Sequence, residues 1–167
     1  PAKLRRTKVE REGKASGLQE EQIVVFQLGG ESYGIDIARV QEIKAMSAIT
    51  GVPRAPEFVE GVINLRGVIT PVVNMHSRFR RPRADYSKET RIIVVSMEGG
   101  EWVGLIVDSV SEVMRLAADS VEDAPGLVAT VESEFVRGIA KVGEERLVIL
   151  LDLDKMLAAT RELALGV

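Results

Sequence analysis

Residues 23–43 read IVVFQLGGESYGIDIARVQEI, and residues 93–113 read IVVSMEGGEWVGLIVDSVSEV. The two stretches align at a shift of 70 residues, which places the glycine pair 29–30 on the pair 99–100. A second similarity places residues 58–74 on residues 135–152, at a shift of 77 that becomes 78 after one insertion. Ordered matches in two blocks indicate that one small structural unit is present twice in the chain.

Short segments rich in valine and isoleucine make up this unit, and they are separated by glycine, proline, asparagine or charged residues. Such segments are typical of β-strands, and glycine pairs between them are typical of hairpin turns. We predict strands over residues 23–28, 33–37, 40–46, 68–73, 91–97, 102–107, 110–116, 138–142 and 147–151. Short helical turns are expected at 55–59 and 75–79, and a C-terminal helix at 152–163, with Asp152 or Asp154 as its cap.

The predicted fold is all-β. A unit of about five strands in about seventy residues favours a small barrel, because closure removes exposed strand edges. We therefore expect two packed five-stranded barrels in residues 21–167, with the chain crossing between them near their ends, after a flexible basic tail over residues 1–20. The junction of two such barrels is a preferred place for binding.

The composition narrows the functional classes. The chain has 167 residues, of which 46% are hydrophobic, which suits one globular domain. A membrane span needs about 18 consecutive apolar residues, and no such run or secretory leader is expected here. The absence of cysteine fits a reducing compartment and excludes thiolate chemistry.

The charge is unevenly distributed along the chain. Residues 1–17 carry a net charge of +4, and the remaining residues carry −7. A nucleic-acid-binding protein normally has its positive charge on the folded surface, together with exposed aromatic side chains. Aromatic residues make up only 4% of this chain. We therefore expect no nucleic-acid partner, and we interpret the tail as a solvated leader.

The sequence contains little that indicates catalysis. It has no phosphate-binding loop and no dinucleotide-binding motif. The single histidine, His76, follows a predicted strand and is interpreted as structural. Asp36 and Asp108 lie in the two copies but do not align with each other, which argues against a symmetric carboxylate pair. We predict no enzyme activity, no cofactor and no metal site.

A tight turn is predicted at residues 64–67, with Gly67 at positive φ. Arg66 at this turn has two interpretations. It is either a solvated arginine, which local chemistry favours, or an arginine held ready to bind a partner's carboxylate. Valines on both copies, among them Val40 and Val110, belong either to the core or to an interface.

Four segments resemble the CheW family of bacterial chemotaxis coupling proteins. They are YGIDI at 33–37 with VQEI at 40–43, GVINLRGVITPVV at 61–73, GLIVDSVSEV at 104–113, and FVRGI at 135–139. The resemblance runs from about residue 22 to residue 157. It implies two packed SH3-like five-stranded β-barrels, in agreement with the repeat.

The resemblance also implies a function. CheW-like proteins are adaptors without catalysis that join the cytoplasmic tips of methyl-accepting chemoreceptors to the regulatory domain of the histidine kinase CheA. A protein of this kind would be cytoplasmic, at receptor arrays under the inner membrane, and would meet the membrane only through receptors. The implied receptor-binding residues are Val40, Arg66, Gly104, Val110 and Val113, and the implied kinase-binding residues are Glu42, Ile43, Lys44 and Leu127.

Two expectations about variants follow, and alternatives remain open. Arg66→Ala should keep the fold but weaken receptor coupling, and Gly104→Val should disrupt the junction, because a glycine within a strand often marks a close approach. The chain could instead be the CheW-like module of a CheA-type kinase or a CheV-type protein. A small-barrel nucleic-acid-binding protein is the remote alternative.

Overall fold

The computed structural model describes residues 20–123 and 133–160, and these contain eleven strands and two short α-helices. The strands are β1 Glu20–Leu28, β2 Glu31–Asp36, β3 Val40–Ala45, β4 Val59–Leu65, β5 Val68–Asn74, β6 Arg91–Ser96, β7 Trp102–Val107, β8 Ser109–Ala117, β9 Val121–Glu122, β10 Val136–Val142 and β11 Arg146–Leu151. The helices are α1 Met75–Arg78 and α2 Leu153–Met156, and short 3-10 turns cover Ile37–Arg39, Ala118–Ser120 and Ser133–Phe135.

The strands form two sheets, and each sheet closes on itself. One has the order β8-β1-β2-β11-β10-β9 and the other the order β3-β6-β7-β5-β4. In the first sheet, Ala118–Ser120 joins the edge strands β8 and β9 directly. In the second, Thr50 follows β3 and bridges to Val62 of the opposite edge, β4. The prediction of two small packed barrels is confirmed, and we call them the six-stranded barrel and the five-stranded barrel.

The two sequence copies exchange strands between the barrels. The order β8-β1-β2-β11-β10 corresponds, position by position, to β3-β6-β7-β5-β4 when the repeat is applied. The chain leaves the six-stranded barrel after Asp36 and returns to it after Val107. The β2–β11 and β5–β7 pairs, both parallel, are the contacts that join strands of different copies in the middle of each sheet. Each barrel therefore needs strands from both copies.

The largest apolar core lies between the barrels. Side chains alternate along the central strands, so that Ile23 and Val25 fill the six-stranded barrel while Val24 and Phe26 face the other barrel. Twenty described residues form this junction core, compared with six buried residues inside each barrel. The junction, which we expected to be a binding place, is thus filled with buried side chains. Only its rim is available to a partner.

Two glycines leave room for closure of the barrels. Gly61 on β4 and Gly138 on β10 correspond in the repeat, and each lies at a β-bulge. A Cβ atom on Gly61 would lie 2.1 Å from the carbonyl oxygen of Thr50, and φ at Gly61 is +154°. A Cβ atom on Gly138 would lie 2.6 Å from a methyl carbon of Val121. In each barrel the closing segment passes directly over a residue that must lack a side chain.

Some local predictions need correction. The nine predicted strands are present, but β4 and β9 were missed, and β1 begins at residue 20. The helical turn expected at 55–59 is wrong, because Pro53 and Pro56 lack the amide hydrogens that a helix needs and the segment forms separate turns. The turn at Met75–Arg78 is confirmed.

The C-terminal helix is confirmed in its first turns. It begins after Asp152, whose side chain accepts a hydrogen bond from the Lys155 amide, and helical conformation continues over residues 158–160. The rest of the predicted helix lies outside the described residues. The same is true of the predicted tail at residues 1–19.

Candidate docking surfaces

Arg66 is held on two sides at the tip of the β4–β5 hairpin. Gly67 has a φ of +85°, as predicted, and its amide donates a 2.8 Å hydrogen bond to Asn64 Oδ1. The Arg66 Nη1 atom lies 2.7 Å from Glu42 Oε1 on β3, and its guanidinium lies 5.8 Å from the centre of the Trp102 ring. The Arg66 side chain is nevertheless 64% exposed. It is therefore positioned by its neighbours but still open to a partner.

The six-stranded barrel has a matching ion pair. Arg146, at the start of β11, places its Nη1 atom 2.6 Å from Glu112 Oε2 on β8. Glu112 corresponds to Glu42 at the shift of 70 residues. In both barrels, an acidic residue on an edge strand thus binds an arginine at the facing hairpin. The arrangement is a property of the repeated unit.

Exposed aliphatic side chains lie beside both ion pairs. Among the described residues, five of the six exposed large hydrophobic side chains are Ile43, Val68, Ile69, Val113 and Leu147. In the repeat, Ile43 corresponds to Val113, and Ile69 to Leu147. Exposed aliphatic groups next to a charged rim are typical of protein–protein interfaces.

We name the two groups of residues by their barrel. The five-strand surface comprises Glu42, Ile43, Arg66, Val68 and Ile69, and the six-strand surface comprises Glu112, Val113, Arg146 and Leu147.

The two surfaces differ in what supports them. Trp102, which backs Arg66, corresponds to Ser32 in the six-stranded barrel. There, the Gln27 Nε2 atom donates to Ser32 Oγ at 3.0 Å and to Ser111 Oγ at 2.8 Å. The five-strand surface therefore rests on an aromatic ring, and the six-strand surface on a polar network.

The structure groups the predicted contact residues by barrel and not by partner. Glu42, implied in kinase binding, forms an ion pair with Arg66, implied in receptor binding. Ile43 and Val113 were also assigned to different partners, yet they occupy corresponding positions. Lys44 lies near Glu42, and its Nζ atom donates to Ser47 Oγ at 3.2 Å.

Val40 and Val110 lie at the rim of the junction core. Both are half-buried and pack against it. Farther along the same strands, Ile43 pairs with Ile93 and Val113 pairs with Val24, and Ile93 and Val24 are both junction-core residues. Because directly paired residues share a face of the sheet, Ile43 and Val113 extend the junction face into solvent.

Gly104 is not at the junction. It is buried in the interior of the five-stranded barrel, where a Cβ atom would lie 2.9 Å from Ile92 Cγ2. The expectation that Gly104→Val disrupts the junction is therefore wrong in its location, because the added methyl groups would enter the barrel interior. Gly104 contributes packing space and not a contact surface. Leu127 lies outside the described residues.

His76 has a structural partner. Its Nε2 atom lies 2.8 Å from Asp108 Oδ1, and Asp108 Oδ2 accepts a 2.8 Å hydrogen bond from the Gly29 amide. The contact ties α1 to the point where the chain crosses between barrels. Over residues 20–123 and 133–160, no group of three histidine or acidic residues is placed to hold a metal ion. No helix in the same ranges is both long and apolar enough to cross a membrane.

Sequence reasoning missed the six-strand surface apart from Val113. The signal was present, because the repeat already aligned Glu42 with Glu112 and Ile69 with Leu147. We used these matches only as evidence for the fold. A charged or aliphatic residue kept at corresponding solvent-facing positions also indicates a surface with a function.

Comparisons with known proteins agree with this architecture. The family model of the CheW-like domain matches residues 22–161. The chain is 39% identical over 145 residues to the chemotaxis protein CheW of Klebsiella aerogenes, covering 87% of this chain and 86% of that one. It is 34% identical to the chemotaxis protein CheW of Thermotoga maritima, covering 86% of this chain and 91% of that one.

A solved structure is similar as well. The crystal structure of the scaffolding protein TtCheW from Thermoanaerobacter tengcongensis superposes with a TM-score of 0.76 at 39% identity, covering 88% of this chain and 94% of that chain. Fold, sequence relatives and family model therefore lead to one conclusion: the chain belongs to the CheW family of chemotaxis proteins.

Proposed function

We propose that this chain is a non-catalytic adaptor that couples the cytoplasmic tips of chemoreceptors to the regulatory domain of the histidine kinase CheA. Its place would be the cytoplasmic receptor array, with the membrane reached only through receptors. The observation that carries the proposal is the pair of corresponding docking surfaces, one on each barrel. A protein that joins two partners needs two separate surfaces on one rigid body.

The kinase domain is assigned to the five-stranded barrel. Ile43 supplies an exposed aliphatic contact there, and Glu42 and Lys44 supply charges beside it. Leu127 stays in this assignment on the family resemblance alone. Apolar contacts at the centre of an interface, with charged residues around them, account for most of the binding energy in such complexes.

The receptor is assigned to the rim of the junction core. A receptor tip is a helical bundle, and one helix face would lie against Val40, Val110 and Val113, with Arg66 available for a carboxylate. Each contact is small, so affinity would come from several contacts within one array. The adaptor can change kinase activity only by binding two kinase states with different affinity.

Calorimetric titration with a kinase regulatory domain from the same cell tests this proposal. We expect saturable one-to-one binding at moderate salt. Ile43→Asp should weaken it at least about tenfold, because an unpaired carboxylate would be buried in the complex. Leu147→Asp is the matched control on the other barrel and should bind within about twofold of the wild type. A folded wild-type protein that does not bind would contradict the proposal.

A second candidate is a CheW-like module within a longer protein. The chain is 26% identical to the chemotaxis protein CheV3 of Helicobacter pylori, covering 84% of this chain but only 48% of that protein. An immunoblot of the source cells separates the candidates. A native band near 18.2 kDa favours the free-standing adaptor, and a much larger band favours the module.

A further inference from the structure

A short segment of the five-stranded barrel reaches across to the six-stranded barrel. His76 and Arg78 lie in α1, which follows β5, and Arg81 lies just after it. Arg81 donates to the carbonyl oxygen of Leu28 at 3.2 Å and to the Tyr33 hydroxyl at 2.8 Å, and it also pairs with Glu31. These three acceptors belong to the β1–β2 hairpin of the other barrel.

Arg78 is at the centre of this segment. Its Nε atom donates a 2.7 Å hydrogen bond to the carbonyl oxygen of Met156 in α2, the helix that follows the six-stranded sheet. Its guanidinium carbon lies 4.6 Å from the centre of the Phe58 ring and 4.4 Å from that of Phe135. One ring precedes β4 and the other precedes β10, so each barrel supplies one side of the sandwich.

Both rings and the acceptor are related by the repeat. Phe58 corresponds to Phe135 at the shift of 77 residues, and Arg78 corresponds to Met156 at the shift of 78. Arg78 therefore lies where the two copies meet, and it is a cation at a position that is apolar in the other copy. A methionine could fill this space, but it is flexible and has no hydrogen to donate.

The chemistry of arginine suits a positioning role. A planar guanidinium is attracted to the faces of aromatic rings, and its hydrogen-bond donors have fixed directions. Two rings from different barrels and one carbonyl thus define its position in three directions. We propose that Arg78 is a positioning residue that fixes the orientation of one barrel relative to the other. That it thereby sets the spacing of the two docking surfaces rests on the proposed function.

Distance measurement between spin labels tests the proposal in the free protein. The chain has no cysteine, so Ala45→Cys on the five-stranded barrel and Glu144→Cys on the six-stranded barrel give one label each. Both positions are exposed. Pulsed dipolar spectroscopy should give one narrow distance distribution. Arg78→Met should at least double its width or shift its maximum, with circular dichroism unchanged.

A control and a rescue define the cause. Arg83→Met removes an arginine of the same segment that contacts Glu60 and the Glu57 carbonyl, both on its own side, and should leave the distribution unchanged. Arg78→Lys keeps a cation and a donor and should restore most of the narrow distribution. A lysine variant as broad as the methionine variant would overturn the assignment to the cation.

Two outcomes overturn the proposal directly. One is a folded Arg78→Met protein with the wild-type distance distribution. If that variant does not fold, Phe58→Leu removes one ring at a half-buried position, and an unchanged distribution in Phe58→Leu has the same meaning. Titration with the kinase domain is read separately. Failure to bind contradicts the proposed function while leaving the positioning role of Arg78 to the distance measurement.

Discussion

The two barrels share one strand order but differ where they meet solvent. Both place an acidic residue of an edge strand against an arginine and expose aliphatic side chains beside it. Arg66, however, rests on Trp102, while the region next to Arg146 has the Gln27, Ser32 and Ser111 network. The repeated fold decides where a docking surface lies. The side chains beneath it decide how firmly its arginine is held and how apolar its surroundings are.

The largest expected effect distinguishes the two closures. Gly61→Ala should lower the free energy of unfolding by about 3 kcal/mol or more, because the new methyl group meets backbone and φ is +154°. Gly138→Ala meets mainly the Val121 side chain, which can move, and should cost about 1–2 kcal/mol. Urea unfolding of both variants measures the difference. Equal losses would show that the two closures are equally tight.

The next comparison concerns the barrel interiors. A Cβ atom on Gly34 would meet Ile23 at 2.8 Å, Leu150 at 3.0 Å and Val148 at 3.1 Å. At Gly104, which corresponds to Gly34, only one such contact is below 3.0 Å. We expect a loss of about 2–3 kcal/mol for Gly34→Ala and about 1–2 kcal/mol for Gly104→Ala. Thermal unfolding ranks them, and a reversed ranking would contradict the packing argument.

Binding should separate the two arginines. Arg66→Ala is expected to keep the fold, since an exposed ion pair contributes at most about 1 kcal/mol. It should weaken binding of a receptor-tip fragment about tenfold, because Trp102 and Glu42 hold the guanidinium in place before the partner arrives. Arg146→Ala should weaken it less than about threefold. Titration of both variants with the same fragment decides; equal losses would remove the distinction between the supports.

The smallest expected effect is confined to the five-stranded barrel. Burial and the neighbouring carboxylate of Glu60 raise the pKa of Tyr86 above its ordinary value of 10.0. Because the folded state holds this proton more tightly, stability is complete below pH 10.0 and falls as the pH rises toward the raised pKa. Tyr86→Phe should abolish this slope, as followed by urea unfolding between about pH 9 and pH 11. An unchanged slope would assign it to another group.

Much of this molecule could be predicted from sequence, and the rest had physical reasons to be missed. Alternating valines and isoleucines located the strands, and the turn at Gly67 followed from glycine alone. The strand exchange did not follow, because a repeat does not say which copy pairs with which. The ion pair of Glu112 with Arg146 joins residues far apart in sequence, so only the folded sheet brings them together.

The strand exchange has a consequence for synthesis on the ribosome. The five-stranded barrel is continuous in sequence from Val40 to Val107, whereas the six-stranded barrel requires β1 to pair with β8, as Val24 does with Val113. The first barrel can therefore close while the chain is still being made, and the β1–β2 hairpin must wait for the last strands. Closing so long a loop costs entropy and time. An early-completed barrel beside the waiting hairpin gives it an apolar face on which to wait.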